Sequence, residues 1–151
     1  MTYLKTRLTV LAVALAGFAL SATAQTTPVG LWKTISDKTG EVASEVRVVE
    51  NAGVLSGRIE RTFRTDVKTD AKCDLCKDDR KDQPIIGLEI IRGLGKNPAK
   101  DVWEGGTVVD PDNGTVYKLK MTPIDGGKKL EVRGFVGFSL FGRTQTWVRA
   151  Q

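Results

Sequence analysis

The sequence predicts an all-β chain: a single small antiparallel up-and-down β-barrel of about eight strands with a long disulfide-containing loop. Three observations predict it. Apolar and polar residues alternate at period two through segment after segment, the mark of a strand buried on one face only. Turn signals separate these segments at short, even intervals, as in sandwiches and barrels. The final stretch, residues 134–149, is a glycine-punctuated turn followed by a strand that suits the first strand as a partner. Pairing the last strand with the first removes both sheet edges.

The N-terminus reads as a targeting segment. Lys5 and Arg7 precede an apolar run over 8–20, and Ala22-Thr23-Ala24 fits the small-x-small cleavage rule. A cleaved signal peptide over 1–24 is expected, cut after Ala24, with a single β-barrel domain over 25–151. A periplasmic or secreted location follows. The apolar run is shorter than the about 20 residues that a spanning helix needs, so no transmembrane segment is expected in the mature chain. No lipobox cysteine follows the run. About 127 residues remain, one domain by size and enough for a core without staples.

The strands follow in order. The first covers 31–36 and ends in the turn Asp37-Lys-Thr-Gly40. The second, 44–50, sets Val46 and Val48 opposite Glu45 and Arg47. Asn51-Ala-Gly53 turns into the third, 54–63, where Leu55, Ile59 and Phe63 share a face. Residues 64–84 then break the rhythm: charge-dense, poor in apolar residues, and holding both cysteines. Loops of that length in small domains are lids, binding loops or disordered, and a short helical turn fits 74–80. The fourth strand covers 87–94, with Leu88, Ile90 and Arg92 on one side. The fifth covers 102–110. Asp110-Pro-Asp-Asn-Gly114 is the strongest hairpin signal, because Pro presets φ and Asn-Gly tolerates positive φ. The sixth, 115–122, sets Tyr117, Leu119 and Met121 against Lys118 and Lys120. Asp125-Gly-Gly127 leads to the seventh, 128–138, with Leu130, Val132, Gly134 and Val136 on one face. Residues 139–142 turn into the eighth, 143–149.

In such a meander alternate connections share an end. The 37–40 turn, the cysteine loop, the 110–114 turn and the 138–142 turn therefore cluster at one end. Trp32, Trp147 and Arg149 meet at the other and close the barrel there. An eight-stranded barrel holds packed side chains or one small ligand.

Composition excludes several functions. The chain has 23 Lys and Arg, 18 Asp and Glu, and no His, for a net charge of +5. Losing Lys5 and Arg7 leaves about +3 with acids and bases interleaved, which is no nucleic-acid footprint. Without histidine there is no Ser-His triad, no histidine base and no imidazole metal ligand. No cofactor or metal is expected. Cys73 and Cys76 are the only cysteines, too few for tetrahedral zinc without histidine. In an oxidising compartment a disulfide is the default. It serves as a structural clip on the loop or as a thiol redox pair.

Several side chains are weighed for binding. Six aspartates between 66 and 82 match no calcium loop, and interleaved Lys and Arg make a solvated charged loop the simpler reading. Trp103 and Tyr117, on adjacent strands, are candidates to line a ligand site, each with a polar tip needing a partner. Arg58, Arg133 and Arg143 are candidates for carboxylate or phosphate. Arg143, which opens the last strand beside the mouth, is the best placed. Glu104 has no partner carboxylate, so a glycosidase-like pair is not supported. Phe138 and Phe141, with Phe135 and Leu140, form an aromatic turn that touches a ligand, a partner or a membrane, or folds inward to cap the barrel.

Gly30-x-Trp32 opening a barrel, with Arg149 and Trp147 in its closing strand, resembles the calycin plan of lipocalins. The mature chain more closely resembles the domain-of-unknown-function 2147 family of exported bacterial proteins. The matching residues are Gly30-Leu-Trp32, Leu55-x-Gly57-Arg58-Ile59, Cys73-x-x-Cys76, Trp103-x-Gly-Gly106 and Asp110-Pro111-x-Asn113-Gly114-x-x-Tyr117. The closing run, Val132-Arg-Gly134-Phe135-x-Gly137 through Gly142-Arg-Thr-Gln-Thr-Trp147, matches too. The resemblance implies export, a β fold and one domain, and brings no enzymatic activity. The expectation is a non-enzymatic exported barrel that binds a small apolar or amphipathic ligand. The alternative is a filled barrel acting on an envelope protein partner, as an inhibitor or assembly factor.

Overall fold

A computed structural model describes residues 26–151; the leader expected over 1–24 lies outside them. Eight strands run in chain order: β1 Gly30–Ile35, β2 Val42–Asn51, β3 Val54–Thr62, β4 Glu89–Lys96, β5 Trp103–Asp110, β6 Thr115–Ile124, β7 Lys129–Phe135 and β8 Gly142–Arg149. Each pairs antiparallel with the next. β8 returns to β1 through Trp32↔Arg149 and Lys33↔Val148, closing the barrel. This is the architecture the alternation and turn spacing predict.

The interior is apolar because every strand directs its alternate residues inward. Trp32, Leu55, Leu94, Met121 and Leu130 are fully buried, and Trp147 is nearly so. Their registers place them at the end where β1 starts and β8 finishes. Val46, Ile91 and Leu119 are fully buried with them. Gly57 shows how tightly the interior is filled. A Cβ there would meet the Ile91 side chain at 2.8 Å, so the missing side chain on β3 makes room for a large one on β4. Each such burial stabilises by about 1.5–3 kcal/mol.

The fourth strand departs from simple alternation. Leu88, Ile90 and Arg92 were expected on one face. Leu88 and Ile90 are buried as expected, but Ile91 and Leu94 are fully buried as well, and Arg92 ion-pairs outside with Glu89 and Asp79. Irregular pairing between β3 and β4, with Gly93 at φ 74°, shifts the phase of the strand. A bulge does this by adding one unpaired residue.

The long loop is also better ordered than a solvated charge run. Cys73 N–H donates to Gln83 O, and Ile85 N–H to Ala71 O, forming a short ladder around the Lys72↔Pro84 bridge. Cys73 and Cys76 form a disulfide and are 0% and 2% exposed. Arg80 is buried and donates to Asp78 and to Glu89 O. Residues 74–80 form turns rather than a helical turn. Alternation ends early in two places. Phe63 lies past β3 and is partly exposed, and β7 stops at Phe135, three residues short of the expected end. No helix among the described residues is long and apolar enough to cross a membrane.

Candidate functional site at the open end

The two ends of the barrel differ in chemistry. At the closed end Arg149 seals the floor. Its guanidinium lies over the Trp32 ring and donates to the carbonyls of Gly127, Val29 and Thr27. Burial pushes its pKa below the ordinary arginine value. The Trp32 indole N–H donates to Pro28 O at 2.7 Å. Trp103 lies at this end too, paired in register with Met121 and Lys96, and the Lys96 ammonium stands 4.5 Å from its ring.

At the open end the inward positions turn polar. Thr34 and Ser44 share a 2.7 Å hydrogen bond between hydroxyls. Gln145 stands opposite Val132, accepts from the Trp147 indole N–H and donates to Asp37. Arg143 stands opposite Gly134 and ion-pairs with Asp37. Tyr117, opposite Val108, is half-buried, and its hydroxyl lies 3.5 Å from the Asn113 amide. A Cβ on Gly134 would meet the side chains of Tyr117 and Val108, so these residues converge on one space. The arrangement is a polar rim over a packed apolar floor. It offers hydrogen-bond donors and a guanidinium to a ligand.

The cysteine loop completes this end. Arg64 bridges Asp66 and Asp112, and Pro111 O lies 3.9 Å from the Cys73 sulfur. The loop and the β5–β6 turn meet so closely that a Cβ on Gly114 would fall on the Leu75 carbonyl. Gly114 also sits at φ 69°, where a side chain is strained.

The candidates from the sequence thus divide. Tyr117 and Arg143 face the same mouth. Trp103 does not join them; roughly 15 Å of strand separates it from Tyr117, because it opens β5 at the opposite end. Phe138 and Phe141 do not fold inward. They are 81% and 71% exposed, beside Leu140 at 81%. Their turn is held from outside by Arg133, which donates to Ser139 O and Leu140 O. Arg58 is external, bound to Glu89 and Gly87 O. Glu104 is external as well. The Asn97 amide and Lys120 hold its carboxyl below the ordinary range, which suits an ion pair rather than an acid catalyst. The loop aspartates are drawn into ion pairs, Asp66 with Arg64, Asp78 with Arg80 and Asp79 with Arg92.

The sequence reading missed Asp37, Gln145 and the Thr34–Ser44 pair. Period two does place Gln145 inward with Trp147, but nothing local shows that the 37–40 turn reaches it. Two clefts lie on the outer wall. One, of about 140 Å³, runs past Glu104, Lys120 and Arg133. The other, of about 350 Å³, lies between the loop and Arg58, Glu89 and Arg92.

A closed eight-stranded antiparallel barrel with a Trp–Arg seal at one end defines a lipocalin-like fold. The chain belongs to the bacterial family described as "Uncharacterized protein conserved in bacteria (DUF2147)", which it matches over residues 30–149. Among solved structures it is similar to protein HP1028 from the human pathogen Helicobacter pylori, described as belonging to the lipocalin family. The TM-score is 0.70 at 19% identity, over 83% of this chain and 84% of that one. Among curated proteins no sequence matches.

Proposed function

We propose that the protein is an exported, non-enzymatic binding protein of the bacterial envelope that takes a small, partly apolar ligand at the open end of its barrel. One observation carries the reading. At the inward positions of that end, Arg143, Gln145 and Tyr117 replace the large apolar side chains that fill the floor. A ligand there sets its apolar part on Val108 and Tyr117 and its anionic or carbonyl head on Arg143, whose guanidinium suits a bidentate oxyanion. The Arg143 side chain is 69% exposed beside Asp37, so a ligand head reaches it without entering the core. The lipocalin-like fold supports a binding role. The leader residues Lys5 to Ala24 support export.

Native mass spectrometry of protein recovered from a bacterial periplasm tests this. Mass that leaves on denaturation, and is lost in Arg143→Ala, is the expected result. A bare monomer under every condition removes the small-ligand reading.

A second reading is favoured by a different observation: the lower and middle layers of the barrel are packed with large side chains. A filled barrel suits a module that acts on an envelope protein partner through its surface. Capture of one defined protein by the ligand-free chain would select this reading.

A further inference from the structure

The turn between β7 and β8 is unusual in two independent ways. Val136, Phe138, Leu140 and Phe141 are 62%, 81%, 81% and 71% exposed within six residues. Single exposed apolar side chains are ordinary, but a contiguous projecting group marks an interaction site. The second feature is the backbone. The carbonyls of 137–141 all accept hydrogen bonds from within the protein. Lys118 reaches Gly137 O, the Phe141 N–H reaches Phe138 O, Arg133 reaches Ser139 O and Leu140 O, and the Val136 N–H reaches Phe141 O. A loop in water has no need of this, because water satisfies its carbonyls. A loop that enters hydrocarbon does need it, since an unsatisfied carbonyl there is costly.

The charge around the turn points to the same medium. Lys118 and Arg133, which hold the carbonyls, form no ion pair with a carboxylate among the described residues. Both stand at the base of the turn, below the apolar tip, with Arg143 beside them opposite Gly134. Arg133 shares an outer-wall cleft with Glu104 and Glu131, and Asp37 is paired to Arg143. An apolar tip over a basic collar matches an anionic lipid surface: acyl chains for the tip, phosphates for the collar.

We infer that the Val136–Phe141 turn docks the protein on an anionic membrane surface, with Phe138, Leu140 and Phe141 in the acyl boundary and Lys118 and Arg133 among the headgroups. The turn follows Gly134 and precedes Arg143, so docking sets the barrel mouth against the lipid. The inference does not require a ligand in the mouth.

Vesicle sedimentation tests it with the full chain as a bacterium produces it. The expected result is binding to equimolar phosphatidylglycerol–phosphatidylcholine vesicles, weakened by salt and far weaker on pure phosphatidylcholine. The double variant Phe138→Ser, Phe141→Ser is expected to lose about tenfold or more in partitioning, with unchanged circular dichroism and thermal midpoint. Phe138→Trp is expected to be quenched by lipids brominated in the acyl chain. Failure of the unmodified protein to bind either vesicle overturns the inference. So does equal binding by the double variant, equal binding to both lipid compositions, or loss in that variant of a protein contact without any vesicle binding. Native mass spectrometry of the same variant separates the two proposals, because a mouth ligand is retained there while vesicle binding is lost.

Discussion

The guanidinium of Arg149 lies 4.1 Å from the centre of the Trp32 ring, and the two residues are register partners across the seam that closes the barrel. Three backbone carbonyls, at Thr27, Val29 and Gly127, accept its N–H groups. The pair joins the first strand, the last strand and the β6–β7 turn in one place. A planar cation with five donors can stack and bond at once; an ammonium cannot do both in this geometry.

Arg149→Lys is therefore expected to lower stability by about 1–3 kcal/mol, through carbonyls left unpaired. Trp32→Ala is expected to cost about 3–5 kcal/mol through a cavity in the floor. Urea titration followed by far-UV circular dichroism reads both. A midpoint unmoved in Arg149→Lys would show that the charge alone, and not the fork, makes the seal.

The buried disulfide is expected to act as a clip. Its ring is small, so chain entropy assigns it about 2 kcal/mol. Cys73→Ser with Cys76→Ser should show that loss while keeping the barrel's strand signal. With both sulfurs out of solvent, a mild thiol should reduce the folded protein far more slowly than the unfolded one. Equal rates in buffer and in urea would return the pair to redox chemistry.

Gly114→Ala tests the seating of the loop on the β5–β6 turn. The added methyl meets the Leu75 carbonyl at a positive-φ position. A loss of about 1–3 kcal/mol is expected, with faster amide exchange over residues 72–86. Unchanged exchange there would separate the loop from the turn.

Acid should loosen the same loop. Hydrogen bonding to Arg80 holds the Asp78 carboxyl at about 2, against an ordinary aspartate value of about 3.9. The folded value is depressed, so the contribution is fully present above about pH 4. It is lost as pH falls towards about 2. Asp78→Asn should flatten the stability profile in that window. An identical acid profile in the variant would remove Asp78 from the account.

At the mouth, Arg143→Ala and Tyr117→Phe should change stability by less than about 0.5 kcal/mol, as exposed or half-exposed positions do. Both should weaken the retained ligand mass described above. A fully retained ligand in both variants would place binding elsewhere.

Much of this protein is legible in one dimension. Alternation in residues 44–50, 54–63 and 115–122, and the Asp-Pro-Asp-Asn-Gly turn, specify strands and hairpins through contacts between near neighbours. Eight such units in series leave closure as the way to satisfy two edges. Period two also places Trp32, Leu119 and Leu130 inside. What lies beyond is non-local. The phase slip that puts Ile91 and Leu94 inward depends on the β3–β4 bulges, and Gly57 shows its purpose only beside Ile91. Trp103 and Tyr117 sit on neighbouring strands, yet register sends them to opposite ends. Phe138 and Phe141 read as a contact surface or as an inward cap until Arg133 is seen holding their turn out. Asp37 joins Arg143 and Gln145 across more than a hundred residues of chain. Local sequence dictates each strand because period two needs only neighbouring side chains. Which side chains share a site is decided by register, bulges and closure, which exist only once the strands have paired.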